Sequence, residues 1–555
     1  MLHNEDIKRL HARYQKLKQD RTEWDQTWRD IQDFLLPRKG RFLSRGDRPD
    51  QDAGKTSPKI VDATATRALR TLSAGMQGGL TSPARPWFKL DLYDQDLVEN
   101  ERVKQWLHTV QQRLYTAFSQ SNFYTVSHNL YTELGAFGTA SVYEAASNNS
   151  YIHFRPQTVG EYFLAANQEG VVDTYFRWFW KTVRQVAQMF GKDKLSLRTQ
   201  SLLDRSPDEH IQVVHMVFPR DDFDPRNLDA SGMPWGSVYF EGETEEQDRI
   251  LSVGGYQEFP YLCPRWDTTG AEVYGWSPAM DSLPDIKTLQ EMAKDRLKAT
   301  KKAIDPPLMA PANLKRKVKT LPGGVNYVDT SQQDGFRPLY QFQPDLQAST
   351  YSIEDMRNAI REGFFNDLFL MTAQSLQGRS DVTATEVAER HEEKLIMLGP
   401  VIERQHSEFL SPLIDRSFGI LERAGLLPPP PRELEGMDIK VEYNSLLSQA
   451  QKMVGTQSLE KLLGFVGSMA EAKPEALDKL DADEIIDEYA DMVGVPPKTI
   501  RSAEVVAKVR EARQQALMRQ QQMEQLKEGA STAKELSQAS TEDSNLLKAL
   551  MEGVR

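Results

Sequence analysis

Residues 59–90 read KIVDATATRALRTLSAGMQGGLTSPARPWFKL, a helical pattern that passes into a segment rich in glycine and proline. Five apolar residues recur at helical spacing on one face: Val61, Ala65, Leu69, Leu72 and Met76. Ser57 is a favourable capping residue and Pro58 suits a first turn, so we expect the helix to begin there. Paired glycines and two prolines then predict no regular structure in residues 78–90.

The residues on either side of this stretch are also predicted to be mainly helical. Apolar residues repeat at helical spacing from Ile7 to Leu35, and Pro37 ends the pattern. Residues 38–56 are rich in Gly, Arg and Asp and predict a polar loop. A further helix is expected from about Glu99 to Ser119.

From about 138 to 270 the sequence favours β-structure. Short β-branched and aromatic segments such as SVYEAA, YIHFRP and IQVVHMVF alternate with turn residues. The segment TVRQVAQMFG, residues 182–191, predicts a short helix among them. We therefore expect a β-rich domain with one or two inserted helices.

Residues 278–365 predict two helices joined by a small β-rich insertion. Ser282 caps the first helix, and Asp305-Pro306-Pro307 ends it. A helix of about 20 residues is about 30 Å long. Residues 306–345 contain strand-like segments separated by Pro and Gly. The second helix carries one apolar face, formed by Ile353, Met356, Ile360 and Phe364.

A polar loop at 371–382 is followed by a capping box at 383–386 that opens a very long helical pattern. Pro400 and Pro412 lie inside this pattern and should kink the helix, because an interior proline removes a hydrogen bond and clashes with the preceding turn. The four prolines at 428–431 predict a stiff linker.

Beyond the proline run we expect helices at 445–470, 475–493 and 499–528. In the last of these, seven residues alternate in steps of four and three: Val505, Val509, Ala512, Ala516, Arg519, Met523 and Leu526. This heptad seam is typical of a weak coiled coil or a helical barrel. The polar residues that follow are expected to be frayed or disordered.

The charge of the chain is separated along its length. Sixty-eight basic and 80 acidic residues give a net charge of −12 at pH 7. Residues 294–319 contain nine Lys or Arg and two acids, whereas residues 471–491 contain nine acids and two Lys. For each run alone, a solvated surface is as good an interpretation as a functional one. Together they indicate a molecule with electrically distinct ends.

Several classes of protein are excluded by composition. No stretch approaches about 18 consecutive apolar residues, so we expect no membrane span. The charged N-terminal residues predict no signal peptide. A single cysteine, Cys263, cannot supply an internal disulfide framework, an iron–sulfur cluster or a thiolate zinc site, and it fits a reducing compartment.

The sequence does not predict an enzyme, and we expect no cofactor or metal. The GKT at 54–56 lacks the upstream glycine of a phosphate-binding loop, since that position is Pro49. His391-Glu392 lacks the second histidine of a zinc-protease helix, because residue 395 is Leu. The acidic turn at 221–224 lacks the calcium-loop pattern. No nucleophile, base and oxyanion donor occur at a recognisable spacing.

The opening stretch resembles the head-to-tail connector, or portal, proteins of short-tailed bacteriophages (podoviruses). Asp62 and Thr64 match the Asp-Ser/Thr segment of that family. The family's second motif, Thr-x-Pro-x-x-x-Trp-Phe-x-Leu, is matched by Thr81, Pro83, Trp87, Phe88 and Leu90. WRDIQDFLLPRKGRF at 28–42, TATE at 383–386, and the order of helix, insertion, helix, loop and kinked helix are similar as well.

The resemblance implies an α+β, mainly helical portal fold with wing, stem, clip and crown, assembled as a ring with a central channel. The implied parts follow the chain in order: wing 1–277, first stem helix 278–304, clip 305–345, second stem helix 346–370, tunnel loop 371–382, wing helix 383–431, and crown with a possible helical barrel 432–555.

The resemblance also implies the function. Portals are rings of about twelve copies, closed by head-to-tail contacts, at one capsid vertex of the virion, and they are made in the host cytoplasm. Implied partners are the major capsid protein, the scaffold, the terminase motor, the tail adaptors and double-stranded DNA, with no membrane. Another large virion protein, such as an internal core or ejection protein, is the alternative.

Two sets of basic and loop residues are the candidate sites. The candidates for the DNA channel are Lys294, Lys298, Lys301 and Lys302 in the stem, and Gln377, Gly378 and Arg379 in the tunnel loop. For the stem lysines, intersubunit salt bridges or simple solvation are equally good interpretations. Clip residues expected to face the motor, the adaptor or a neighbour's acids are Lys315, Arg316, Lys317 and Lys319.

Overall fold

The structure is a computed structural model in which most of the chain up to residue 444 is described. The described residues are 4–39, 59–94, 100–147, 149–220, 223–227, 229–242, 250–304, 308–309, 337–338, 346–369, 397–434, 437, 439–444, 462–469, 473, 480–493, 505–520 and 523. The chain divides into two compact units, Met1–Val454 and Gly455–Arg555.

The N-terminal region forms two helices, α1 (Asn4–Asp20) and α2 (Thr22–Phe34), which confirms the predicted helical segment. The helices break at Arg21, whose buried guanidinium donates to the carbonyls of Gly160 and Tyr162, at 3.0 Å each. Tyr14 of α1 packs edge-on against Phe163. The break therefore allows both helices to lie against the β-rich part of the unit.

The opening stretch forms α3 (Thr64–Leu80) and β1 (Phe88–Leu92). Helix α3 begins at Thr64 and not at the predicted Ser57-Pro58, because residues 59–63 are not helical. The helix continues through Gly78 and Gly79, and residues 88–92 are a strand, so the prediction of irregular structure over 78–90 was wrong at both ends. The strand is stabilised by a partner about 350 residues away, which local sequence does not reveal.

Helix α4 (Glu101–Gln120) agrees with the predicted helix, and α5 (Phe123–Phe137) follows it after a short turn. The sequence analysis did not single out α5. Its side chains are buried on nearly all sides, so it lacks the polar stripe that makes a surface helix visible. Together with α2 and α3, it forms part of the main hydrophobic core.

The predicted β-rich region contains two antiparallel sheets. A three-stranded sheet has the order β3 (Tyr151–Gln157), β2 (Ser141–Ser147), β9 (Tyr261–Leu262). A five-stranded sheet runs from β4 to β8: Tyr162–Ala166, Val172–Thr182, His210–Pro219, Trp235–Glu241 and Ile250–Tyr256. The two inserted helices are α6 (Val183–Phe190), which begins with a Thr182 capping box, and α7 (Leu197–Arg205).

Two long helices separated by an insertion confirm the predicted hairpin. A short helix, α8 (Pro278–Asp281), precedes α9 (Leu283–Ile304), and α10 (Leu346–Gly363) packs against α9. The predicted start at Ser282 is confirmed, because α9 begins at Leu283 and the Ser282 carbonyl accepts from Ile286 N at 2.9 Å, whereas Ser277 caps the preceding helix α8. Between the helices, β10 (Leu308–Met309) pairs antiparallel with β11 (Arg337–Pro338).

The predicted long kinked helix is described from residue 397. Residues 397–405 are helical, His406–Leu410 form a π-helical turn, and α11 (Ser411–Arg423) continues the helix. Pro412 therefore lies inside a continuous helical stretch, and its missing N–H and its ring account for the π turn directly before it. The structure thus shows an irregularity before Pro412, whereas the residues around Pro400 are regularly helical.

The proline run does not lead directly out of the first unit. The Pro428 carbonyl accepts a hydrogen bond from Trp106 Nε1 at 3.0 Å, and β12 (Ile439–Tyr443) pairs antiparallel with β1. In the C-terminal unit, residues 462–469, α12 (Ala482–Val493) and residues 505–520 are helical, within the three predicted helical segments.

Candidate functional site

The start of α9 meets the end of α10, so the hairpin is antiparallel. A Cβ placed on Gly363 would lie 2.5 Å from Ser282 Oγ. At this closed end, Ser277 Oγ donates to the Ala136 carbonyl at 2.8 Å, which ties the hairpin to the C-terminal turn of α5. The buried side chains of this end include Ile286, Leu289, Ile353, Ile360 and Phe364. This end of the hairpin therefore belongs to the main core.

Three polar residues lock the opening stretch onto both helices of the hairpin. Gln290 of α9 accepts from the backbone N–H groups of Val61 and Asp62, at 2.7 and 2.8 Å, and donates to the Asp62 carbonyl at 2.8 Å. Arg357 of α10 donates to Asp62 Oδ2 through Nε and Nη2, at 3.0 and 2.7 Å. We call Asp62, Gln290 and Arg357 the Asp62 clamp.

Asp62 also prepares the start of α3. Its Oδ1 accepts from Thr64 N at 2.9 Å and from Thr64 Oγ1 at 2.6 Å. Burial alone would raise the pKa of Asp62, but the hydrogen bonds from Thr64 and Arg357 outweigh burial and hold the pKa below its usual value. The ionised carboxylate thus joins α3 to α10, while the Asp62 backbone is bound to α9 through Gln290. The family motif pointed to Asp62, but neither Gln290 nor Arg357 has a local sequence signal.

The open end of the hairpin is exposed, and its predicted lysines divide into two pairs. Lys294 and Lys298 form salt bridges with Glu291 and Asp295 of their own helix, at 2.7 and 3.0 Å. Lys301 and Lys302, in the last turn of α9, are exposed and have no ion pair among the described residues. The three large apolar side chains exposed near this end are Leu297, Ile304 and Tyr351.

The remaining predicted site residues lie outside the described residues. These are Gln377, Gly378 and Arg379 of the loop, and Lys315, Arg316, Lys317 and Lys319 of the insertion. The structure does describe both borders of the loop region, at Phe369 and at residue 397. The aromatic ring of Phe369 packs against Gly75 of α3, where an added Cβ would lie 2.1 Å from Phe369 Cδ1.

After the loop region, the π turn anchors the returning helix to the β-rich part. Glu408 forms a bidentate ion pair with Arg265, whose Nη2 donates to Oε1 at 2.7 Å and whose Nε donates to Oε2 at 3.1 Å, and the Arg265 backbone N–H also donates to Oε2, at 2.9 Å. The side chain of Gln405 donates to the Arg265 carbonyl at 3.0 Å. The sequence analysis missed this anchor, because its two halves are separated by more than 140 residues.

Helix α11 makes a second polar contact with the sheets. Arg416 donates to the Glu144 carbonyl through Nε and Nη2, and Ser417 Oγ donates to Glu144 Oε1 at 2.7 Å. Glu144 Oε2 is buried and has no hydrogen-bond partner among the described residues. Burial raises the pKa of Glu144 to about 8, although the Arg416 charge and the Ser417 hydroxyl act in the opposite direction.

The chemistry available in the described part of the chain is that of polar anchoring. No group of His, Cys, Asp and Glu there could hold a metal ion. Cys263 is buried, and burial raises the pKa of its thiol, so the reactive thiolate is disfavoured. His215 is held between Tyr261 Oη and Ser237 Oγ, and burial lowers its pKa to about 3. Among the same residues, no helix is long and apolar enough to cross a membrane.

Comparisons with known proteins agree with one another. The family model described as bacteriophage head to tail connecting protein matches residues 7–500. The chain is 42% identical over 551 residues to the probable portal protein of Bordetella phage BPP-1, covering 99% of this chain and 98% of the relative. It is 41% identical over 546 residues to the portal protein of Salmonella phage epsilon15, covering 98% and 97%.

Proposed function

This chain belongs to the family of bacteriophage head-to-tail connecting proteins, and on that premise we propose that it is the portal protein of a phage virion. About twelve copies form a ring at one capsid vertex, at the junction of head and tail. The ring is the conduit for double-stranded DNA during packaging and ejection. Its role is structural, and the energy for packaging comes from a docked terminase motor.

The observation that carries the proposal is the hairpin, which is fixed at one end and exposed at the other. The closed end is held by the core and by the Asp62 clamp. The open end exposes Leu297, Ile304 and Tyr351, and full burial of Ile304, which is 79% exposed, would contribute about 1.5–3 kcal/mol, with less from the half-exposed Leu297. Neighbouring hairpins in a ring would cover these side chains, so the hairpin is the proposed stem.

The proposed parts of the fold follow from this assignment. The helices and sheets before residue 278 are the wing, the insertion at 305–345 is the clip, and the loop at 371–382 lies in the channel. The helical C-terminal unit is the crown. The clip faces first the terminase and then the tail adaptors, while the wing contacts the capsid protein and the scaffold.

We propose that Lys301, Lys302 and the loop residues Gln377, Gly378 and Arg379 line the DNA path. Lys294 and Lys298 contribute less, because each is neutralised within its own helix. A channel must let the duplex slide, and many unpaired cations would hold its phosphates. Three cations of α9 have no ion pair among the described residues, Arg296, Lys301 and Lys302, and this small number is compatible with the requirement.

The solution mass of the purified full-length protein tests the proposal. Light scattering should give about 760 kDa for about twelve copies of the 63.2 kDa chain, and negatively stained particles should be annular. Because assembly of such rings can depend on concentration or on scaffold, the measurement includes a concentration series and a sample with scaffold protein. A small species that never forms rings would overturn the proposal and favour the internal core protein.

A further inference from the structure

Helix α4 presents an exposed face without carboxylates. From Arg102 to Thr132 the chain contains no Asp or Glu, although these make up 80 of its 555 residues. The exposed side chains of α4 include three permanent cations, Arg102, Lys104 and Arg113. Neutral polar side chains lie on the same exposed face: Gln105, His108 and Gln112, together with Thr109 and Thr116, whose hydroxyls donate to the Gln105 and Gln112 carbonyls at 2.7 and 2.8 Å. Arg102 and Arg113 are 11 residues apart, so they point in nearly the same direction, about 16 Å apart along the axis.

The cations of this face are not used by the fold. No ion pair or side-chain hydrogen bond of Arg102, Lys104 or Arg113 occurs among the described residues. In the sequence, four acids come just before Arg102, at positions 94, 96, 99 and 101, and negative charge is favourable near the start of a helix. Their position therefore has a local explanation, while the three cations have none.

A shallow groove extends the cationic face. It has a volume of about 490 Å³ and lies between α4 and the proline run, with Trp106 and Pro428 in its wall. Arg102 and Arg432 line it, and Glu433 is the one acid among the lining residues. We call Arg102, Lys104, Arg113 and Arg432, with the neutral polar side chains between them, the α4 face.

We propose that the α4 face binds the sugar–phosphate backbone of duplex DNA, without reading its sequence and outside any central channel. Arg, Lys, Gln and Thr are side chains that contact phosphates in protein–DNA complexes. Arg102 and Arg113 lie along one edge of the exposed face, and Lys104, about 160° round the helix from Arg102, lies at the other edge, so the cations border the neutral polar side chains on both sides and would contact phosphates there. An acidic protein surface is the other candidate partner. Its clustered carboxylates would be matched by a denser group of cations than the α4 face provides. This goes beyond the conduit function, because DNA is held on the exterior of the protein.

Covalently closed circular duplex DNA is the decisive probe, because a closed circle cannot thread a ring. Binding to the full-length protein is measured over a range of salt concentrations. Each neutralised phosphate contributes about −0.9 to the slope of log K against log salt, so four cations give about −3 to −4. In Arg102→Glu/Arg113→Glu the slope should become smaller in magnitude by about 2. Arg198→Glu/Arg205→Glu on the exposed face of α7 makes the same charge change and should leave the slope unchanged.

The outcomes distinguish this inference from its rival, in which the α4 face binds an acidic surface of a second copy, and from the portal proposal. Equal slopes for the two double variants would overturn it. A face variant that binds DNA normally but no longer forms oligomers would assign the α4 face to an acidic surface of a second copy, which also overturns it. The neutral variant Arg102→Gln/Arg113→Gln provides a second test if charge reversal impairs folding. Ring mass, measured in parallel, decides the portal proposal independently.

Discussion

Asp62 illustrates how much a single residue can hold in this fold. Its carboxylate accepts hydrogen bonds from Thr64 at the start of α3 and from Arg357 of α10, while its backbone is held by Gln290 of α9. The Asp-x-Thr motif was identified from the sequence through a family resemblance. Its physical reason, the joining of three helices, required the two partners that lie about 230 and 295 residues away.

Asp62→Asn should destabilise the protein by about 1–3 kcal/mol at neutral pH, because it removes charge-assisted hydrogen bonds. Since the folded pKa of Asp62 is below the unfolded value of 3.8, its contribution is present above that pH and is lost as the pH falls through the folded pKa. Denaturant unfolding measures the free energy. Asp30→Asn, which breaks the more exposed pair with Lys287, is the control and should cost at most about 1 kcal/mol. Equal losses would show that the clamp has no special role.

Glu144 is the residue whose charge should depend on pH near neutrality. With a folded pKa of about 8 and an unfolded value of 4.5, the folded state binds more protons between these values. The contribution of Glu144 to the free energy of unfolding should therefore fall as the pH rises from 4.5 to 8. Glu144→Gln lacks this titration, so its stability relative to wild type should increase from pH 5 to pH 8. Parallel pH profiles of unfolding would contradict the assignment.

At the scale of elements, local sequence patterns predicted most helices and the β-rich region. They failed where contacts between distant residues determine the secondary structure. Helix α9, the short helix α6 and the irregularity near Pro412 were predicted, because caps, periodicity and proline are local signals. Strand β1 was missed, because its partner β12 lies beyond the proline run. The stem lysines were placed on the correct helix, but their pairing with Glu291 and Asp295 was not foreseen.

Gly75 allows the Phe369 ring to approach helix α3 closely, and a substitution can test this contact. Gly75→Ala places a methyl group 2.1 Å from the Phe369 ring and should cost about 1–3 kcal/mol. Gly78→Ala on the same helix meets no atom within 4 Å and should stabilise the protein by about 0.5–1 kcal/mol. The double variant Gly75→Ala/Phe369→Ala should cost less than the sum of its single substitutions. Unfolding at equal protein concentration provides all four values. A neutral Gly75→Ala would show that Phe369 can move freely.

At the scale of the whole molecule, the hairpin combines two opposite properties. Its closed end is fixed by the Asp62 clamp and the core, and its open end exposes apolar side chains and two lysines that have no ion pair in the described part of the chain. The helix that returns from the loop region is fixed again through Glu408 and Arg265. Fixed borders on both sides of residues 370–396 mean that force applied to this region would be transmitted to the helices and sheets of the first unit. In the proposed conduit, this anchoring would support the loop against moving DNA.

The division of the stem lysines leads to a prediction for the assembled portal. Lys301→Gln/Lys302→Gln should leave ring mass unchanged but impair DNA packaging or retention, because these cations are unpaired within their helix. Lys294→Gln/Lys298→Gln should have a smaller effect on DNA, since Glu291 and Asp295 already neutralise those cations. In vitro packaging and nuclease protection of the packaged DNA, each measured with rings of verified mass, compare the two variants. If the paired lysines proved more important than the unpaired ones, neutralisation within the helix would not govern contact with DNA. In that case the salt bridges must open in the ring, and the cations would be released to face the channel as subunits assemble.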